Sequence, residues 1–443
     1  MPGAYSWSAM DPEIARLGKA TRRSPLDLST VRGDRICNFV SDDERVLYDV
    51  AVGGPVNDEA DRPTSFERAG PRERVFFDPK TLRVGIVTCG GLCPGTNNVI
   101  RAAVMELFFH YHVRTVLGFR YGFAGLVPDS GYEPIELDPD RVDDIHHHGG
   151  SILGSSRGSQ DVSAMVDTLE RQDIGLLLVI GGDGTMHGAH AIYEEVTRRG
   201  RPISVVAVPK TIDNDVYLVE KTFGFETAFS IAIEAIRAAH VEAKGYPNGI
   251  GLVKLMGRNS GSITANAAVA EPDVNLVLIP EVPFVLEGEK GLAAWLADRL
   301  TRRHHAVIVV AEGAGQELID DEGNERDASG NMRLLDVGVF LKHRLSQALD
   351  ERGVVHSMKY IDPGYTIRSA PANPNDSIFA SNLARHAVHA GMSGRTGLLV
   401  GLWHGEFTHI PLGAVLDRRK AVDPEGDLWL AVLESTGQPA QWA

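Results

Sequence analysis

Two carboxylates, Asp213 and Asp215, close the run Pro209-Lys210-Thr211-Ile212-Asp213-Asn214-Asp215. Like charges two residues apart repel, so clustering them beside a lysine is costly unless something cationic or reactive sits there. One carboxylate of such a pair can take a proton from a hydroxyl while the other stays ionised near a metal. An Asx-rich turn has the same composition, and this segment alone leaves both readings open.

A second candidate is Gly181-Gly182-Asp183-Gly184-Thr185, which ends the apolar run Leu176–Ile180. Glycines let backbone amides approach a polyphosphate, and Asp183 can hold the Mg²⁺ that accompanies it. A helix is expected to start at Thr185, and its positive end favours an anion. An ordinary strand-to-helix turn also fits. Cys89-Gly90-Gly91-Leu92-Cys93-Pro94-Gly95 can form a further phosphate-cradling turn, although it is neither a P-loop nor a dinucleotide fingerprint. Gly154-Ser155-Ser156-Arg157-Gly158 adds an arginine able to clamp a phosphate, or a solvated loop charge.

More polar groups follow later apolar runs. Lys254-Leu255-Met256-Gly257-Arg258-Asn259-Ser260-Gly261 offers a guanidinium at a helix start. Ala311-Glu312-Gly313-Ala314-Gly315 places a carboxylate where sugar hydroxyls can donate to it. Lys359-Tyr360 through Tyr365-Thr366-Ile367-Arg368 adds two cations and a phenol. Singly, each reads as structural. Together they describe a phosphorylated sugar beside a Mg²⁺-nucleotide.

Placing these groups requires strands. Apolar runs recur at Val84–Thr88, Thr115–Phe119, Leu176–Ile180, Ser204–Val208, Gly251–Leu255, Leu276–Ile279, Ala306–Val310 and Gly397–Leu402. Amphipathic stretches lie between many of them, namely Asn98–Tyr111, Asp161–Arg171, His187–Arg199 and Thr227–Val241; Asp336–Leu349 and Asp376–Ala390 are further helix candidates with acidic starts. Alternation of this kind predicts an α/β fold with parallel sheets covered on both faces. Glycine-rich turns then fall at strand ends, where open α/β sheets bind ligands. Residues 1–80 read as an extension packed over a core, with a short strand at Val46–Val52, and Asp321–Asn331 reads as a surface insertion.

The chain has 443 residues, room for two packed domains and an extension, with 43% hydrophobic and 23% charged residues. Its net charge of −15 argues against a general nucleic-acid surface, but local arginines can still hold an anionic substrate. No apolar stretch approaches membrane-spanning length and no secretory pattern opens the chain. Cys37, Cys89 and Cys93 form no zinc spacing, so reduced thiols and a cytoplasmic location are expected. The triplet His146-His147-His148 reads as a polar loop or helix end rather than a metal site.

The order of these segments resembles the 6-phosphofructokinase family over roughly Arg83 to Leu412. Matching are Gly-Gly-Leu-Cys-Pro-Gly-Thr-Asn at 90–97, Gly-Gly-Asp-Gly-Thr at 181–185, Pro-Lys-Thr-Ile-Asp-Asn-Asp at 209–215, Met-Gly-Arg at 256–258, Ala-Glu-Gly at 311–313 and Tyr-Thr-Ile-Arg at 365–368. The Cys-Pro-Gly loop and long N-terminal segment look most like the ATP-dependent plant and trypanosomatid branch.

This resemblance implies two doubly wound α/β domains facing an active-site cleft, with an N-terminal extension. Residues 81–224 and 369–420 would form the donor domain, 225–368 the sugar-phosphate domain and 421–443 a C-terminal segment. It implies transfer of the terminal phosphoryl group of ATP to the 1-hydroxyl of fructose 6-phosphate, a glycolytic step, in an allosteric homodimer or homotetramer. Asp213 would be the general base, Asp215 its electrostatic support, and Asp183 the Mg²⁺ ligand. Gly91, Arg157, Gly158, Gly182, Gly184, Thr185 and Lys210 would hold the donor. Thr211, Ile212, Met256, Gly257, Arg258, Glu312, Lys359, Tyr365 and Arg368 would hold the sugar phosphate, with Thr211 and Arg258 also serving catalysis.

Some residues depart from the pattern. Gly249 and Lys359 stand where relatives use arginines that reach a neighbouring subunit, and Met105 replaces the second of two effector-site arginines, Arg101 being kept. Two alternatives follow from the same fold: a pyrophosphate-dependent enzyme and a non-catalytic regulatory subunit. Pyrophosphate enzymes usually carry Asp where Gly184 stands, which favours ATP. Lys210 is shared with them.

Overall fold

The structure, a computed structural model, describes residues 13–50, 65–319, 333–416 and 418–442. Contacts divide the chain into two units. The first comprises residues to Thr211 with Val216–Phe223 and Pro371–Arg418; the second comprises Ile212–Asp215, Gly224–Ala370 and Arg419–Ala443.

The first unit is built on a nine-stranded sheet. In spatial order its strands are Arg45–Leu47, Ser65–Arg68, Glu406–Pro411, Leu398–Trp403, Ser204–Pro209, Ile174–Gly181, Arg83–Thr88, Thr115–Phe119 and Ile135–Glu136. The five from Leu398–Trp403 to Thr115–Phe119 run parallel, and antiparallel strands extend both edges. Parallel strands buried on both faces need continuous apolar runs. Leu176 through Ile180 meet this demand, each at most 1% exposed. Truncating one of its leucines to alanine would cost about 2–5 kcal/mol through lost burial and the cavity left behind.

The second unit holds a four-stranded parallel sheet in the order Leu276–Leu278, His305–Ala311, Gly249–Leu255, Ser357–Ile361. Its core gathers Ile250, Leu252, Ile308 and Val310 with Leu341 and Leu345 of the helix Val337–Glu351. Trp442, at the end of the chain, joins the same core.

Helix starts follow capping chemistry. The Asp161 carboxylate accepts hydrogen bonds from the Ser163 and Ala164 amides and begins Val162–Arg171; Asp336 does the same for Val337–Glu351, and Asn373 caps Pro374–Met392. The helix after Gly182 begins at Asp183, two residues before the expected Thr185, so Asp183 and Gly184 lie within its first turn. An acidic residue there complements the helix dipole. The helix after Arg258 begins only at Ser262 with Gly261 as its cap, so Arg258 sits in the preceding loop rather than at a helix start.

Other differences concern the ends of the chain. Of the expected strand Val46–Val52, residues 51 and 52 lie outside the described residues, and the described part contributes to the strand Arg45–Leu47, paired with Ser65–Arg68. Two strands of residues 13–80, Arg45–Leu47 and Ser65–Arg68, are therefore built into the first unit's sheet, while Arg22–Arg23 and Arg74–Val75 pair as a separate two-stranded sheet. Residues 421–443, expected as a separate segment, carry the helix Asp427–Thr436 and belong to the second unit. The expected insertion Asp321–Asn331 lies outside the described residues. Ile145–His147 forms a single 3₁₀ turn. No described helix is long and apolar enough to cross a membrane.

Candidate active site

In the first unit, four loops converge at the C-terminal ends of adjacent parallel strands. The strand Arg83–Thr88 runs into Cys89-Gly90-Gly91, and the Cys89 amide donates to the Ile180 carbonyl on the neighbouring strand (2.9 Å). Gly90 has φ +84, a conformation that favours glycine, and its amide donates to the Ser156 carbonyl. A Cβ added at Gly90 would lie 3.7 Å from the Lys210 ammonium and 4.0 Å from the Thr185 hydroxyl; one at Gly91 would lie 3.4 Å from the Arg157 guanidinium. Gly91, Arg157, Thr185 and Lys210 are thus brought together.

Lys210 anchors this set. It follows the strand Ser204–Pro209, its amide donates to the Gly181 carbonyl (2.8 Å), and its ammonium donates to the Gly91 carbonyl (2.6 Å). Burial, with the nearby Arg157 charge, pulls the ammonium below its ordinary value. Asp183 is partly exposed, its carboxylate 3.9 Å from His187 Nδ1 one turn on. Gly182 packs against Lys210, a Cβ there lying 3.2 Å from its carbonyl oxygen. Gly184 differs, because a Cβ at that position meets nothing within 4 Å. Packing does not require glycine at 184. Arg157 and Gly158 are exposed, and Gly158 turns at φ +95.

The second unit gathers the other candidates. Asn214, between the two aspartates, has φ 52, a left-handed conformation that asparagine tolerates better than most residues. Register brings the remaining groups together. Leu255 pairs with Ala311, and beyond that pair the Glu312 amide donates to the Leu255 carbonyl (2.8 Å) and the Gly313 amide to the Gly257 carbonyl (3.1 Å). The loops bearing Arg258 and Glu312 are therefore laced side by side. Two glycines permit this: a Cβ at Gly313 would lie 1.8 Å from the Arg258 carbonyl oxygen, and one at Gly257 would lie 2.4 Å from that of Ser260. On the other flank, Val253 pairs with Ile361, and the chain continues into the helix Gly364–Ser369, which carries Arg368.

Electrostatics join these groups. Burial pushes the Asp213 carboxyl well above the usual carboxylate range, the charges of Asp215 and Glu312 add to this, and Arg258 and Arg368 oppose it. Burial likewise raises Glu312, against Arg258, Lys254 and Arg368. A carboxyl lifted in this way, with guanidiniums nearby, is suited to accept a proton near neutral pH. Ile212 and Met256 are buried beside these groups along the chain, and the Thr211 carbonyl accepts from the Thr222 hydroxyl (2.7 Å).

Two predicted residues of the second unit are exposed. Lys359 lies mid-strand and exposed, its ammonium over the Tyr246 ring (5.4 Å), rather than at a strand end. Tyr365 is 85% exposed, with the Arg368 guanidinium over its ring (5.1 Å). Asp336, expected as an acidic helix start, and Asp362 and Lys254 are not among the predicted site residues, although Lys254 is a charge inside an apolar strand.

The family model for phosphofructokinase matches residues 83–391. The chain is 47% identical to an ATP-dependent 6-phosphofructokinase of Amycolatopsis methanolica over 442 residues, covering 98% of this chain and 96% of that protein. It is 43% identical to ATP-dependent 6-phosphofructokinase 1 of Arabidopsis thaliana, covering 91% and 84% of the two chains. Identity to an ATP-dependent 6-phosphofructokinase of Trypanosoma brucei brucei is 45%, covering 84% and 77%. Among solved structures, a pyrophosphate-dependent phosphofructokinase from Marinobacter aquaeolei superposes with a TM-score of 0.66 at 21% identity, covering 82% of this chain and 92% of that one. At that identity the likeness speaks for the fold.

Proposed function

The chain belongs to the phosphofructokinase family, and we propose that it transfers the terminal phosphoryl group of ATP to the 1-hydroxyl of fructose 6-phosphate, yielding fructose 1,6-bisphosphate. The observation that carries this reading is the lacing of the loops bearing Arg258 and Glu312, the Glu312 amide donating to the Leu255 carbonyl and the Gly313 amide to the Gly257 carbonyl, in the unit that also holds Asp213, Asp215 and Arg368. The burial and charges that raise the Asp213 carboxyl agree with it.

In this reading Asp213 accepts the proton of the 1-hydroxyl as that oxygen attacks phosphorus and the bond to the leaving ADP oxygen breaks. Asp215 keeps the base poised by its charge. Arg258 and Arg368 neutralise the sugar phosphate and the charge that develops during transfer, and Glu312 accepts hydrogen bonds from sugar hydroxyls. Thr211, Ile212, Met256, Gly257 and Tyr365 complete the sugar-phosphate set. The donor phosphates meet the backbone of Gly91 and of Gly182 to Thr185, with Arg157 and Lys210 supplying positive charge. Positioning and charge neutralisation carry most of a phosphoryl transfer.

No group of three or more His, Cys, Asp or Glu side chains forms a metal cage among the described residues. Mg²⁺ needs no such cage, since it takes one or two carboxylates and completes its shell with water and phosphate oxygens. Asp183, partly exposed in the first turn of a helix, is the residue that would hold it. Bound there, Mg²⁺ would neutralise donor phosphate charge.

The cytoplasm and a homo-oligomeric state belong to the same reading. Gly184 favours ATP by leaving space for a nucleotide, and the relatives at 43–47% identity are ATP-dependent. Lys210, shared with pyrophosphate enzymes, makes pyrophosphate the second donor to test. Purified protein supplied with fructose 6-phosphate and either MgATP or Mg-pyrophosphate decides between them. We expect bisphosphate formation with MgATP, and activity confined to pyrophosphate would overturn the choice of donor.

A further inference from the structure

Lys254 is the charged residue of the strand Gly249–Leu255, and its side chain is only 14% exposed. Its ammonium lies 3.1 Å from Asp336 Oδ2 and 3.0 Å from Asp362 Oδ2. The Tyr360 hydroxyl donates to Asp336 Oδ1 (2.9 Å), beside the Gly338 and Val339 amides that the same oxygen caps. Asp362 Oδ1 accepts from the Gly364 amide (2.9 Å), the first residue of the helix that carries Arg368. One ammonium therefore ties a strand to the starts of two helices.

The ammonium is largely buried, but the Asp336 and Asp362 side chains are 42% and 43% exposed, and ion pairs that reach solvent contribute little to stability. Its placement suggests another purpose. Through Asp362 the contact reaches Arg368, and the Lys254 charge also acts on Glu312. Both residues belong to the sugar-phosphate set.

Resting on the functional reading above, we propose that Lys254 is a positioning residue for fructose 6-phosphate, fixing the Arg368 helix through Asp362. Removing its charge leaves two carboxylates around one vacated position, and their repulsion displaces the first turn of that helix. Donor binding does not depend on this contact.

Lys254→Met, Lys254→Arg, Asp362→Asn and the Lys254→Met/Asp362→Asn pair test this. Fructose 6-phosphate binding is measured directly by calorimetry, beside the KM for each substrate. Lys254→Met is expected to weaken sugar-phosphate binding and raise its KM at least tenfold, with the KM for MgATP unchanged within twofold. Lys254→Arg restores most of the loss. Asp362→Asn, which keeps an acceptor for Gly364, gives a smaller loss. The double variant binds better than Lys254→Met because the repulsion is gone, a non-additivity that a simple packing role does not produce. Should Lys254→Met fail to fold, Asp362→Asn carries the same comparison. Unchanged sugar-phosphate binding, or an equal rise in both KM values, overturns the proposal. Wild-type protein that binds no fructose 6-phosphate overturns the functional reading itself.

Discussion

At the scale of single residues, Asp213 and Gly184 make the sharpest claims. Because burial and the charges of Asp215 and Glu312 raise the Asp213 carboxyl, the acid limb of kcat/KM should lie above the ordinary aspartate value of about 3.9. Activity rises as pH climbs through that limb, since the base must be deprotonated. Asp215→Asn removes one of the charges that raise it, so the limb should move to lower pH, whatever happens to kcat. A pH–rate profile of both proteins checks the direction, and a limb that stays still or moves upward contradicts it. Gly184→Asp projects a carboxylate into space where nothing beyond its chain neighbours and its own helix backbone lies within 4 Å of the new Cβ. It should leave the melting temperature near wild type while raising the KM for MgATP more than tenfold.

At the scale of elements, the candidate groups depend on how strand ends are laced. A Cβ at Gly313 would fall 1.8 Å from the Arg258 carbonyl oxygen, so Gly313→Ala must push the two loops apart. Overpacking of this kind costs about 1–3 kcal/mol. The KM for fructose 6-phosphate should rise at least tenfold, measured beside an unchanged KM for MgATP.

The same lacing shows what sequence could and could not reveal. Leu176–Ile180 and the seven other apolar runs are strands, because a strand buried on both faces leaves a continuous apolar signature. Ser357–Ile361 and Glu406–Pro411 carry mixed residues at or near sheet edges and left no such run. The helix Leu292–Arg303 was also missed. The loop residues of the candidate site were legible as glycine, acid and base clusters after strands. The contacts of Lys254 were not, since Asp336 and Asp362 approach it only through tertiary folding. Its one visible sign was a charge within an apolar run.

At the scale of the whole molecule, the N-terminal part of the chain is bound into the first unit by buried charge. Glu67 contacts Arg72, Arg395 and His409. Burial alone would raise the Glu67 carboxyl, but the His409 hydrogen bond and the two guanidiniums hold it well below the usual range. Burial and the same guanidiniums hold His409 down to about 4, and burial, with His409 and Arg72, holds His386 down to about 3. An unfolded histidine titrates near about 6.5. Between there and about pH 4 the unfolded chain binds more protons, so stability is fully present above that window and falls as pH falls through it. For His409 alone the loss is on the order of 3 kcal/mol. Glu67 adds a further loss below about pH 4.3, its unfolded value. Thermal unfolding followed from pH 7.5 to 4.5 should show a steadily falling midpoint, and a flat profile contradicts this account of His409 and His386.

The central claim is that Asp213 serves as the base for phosphoryl transfer to a sugar held by the surrounding arginines. Its most direct test compares wild-type protein with Asp213→Ser, measuring turnover with MgATP and fructose 6-phosphate together with calorimetric binding of the sugar phosphate. Turnover should fall by several orders of magnitude while sugar-phosphate affinity stays within a few-fold of wild type. Unchanged turnover would contradict the account.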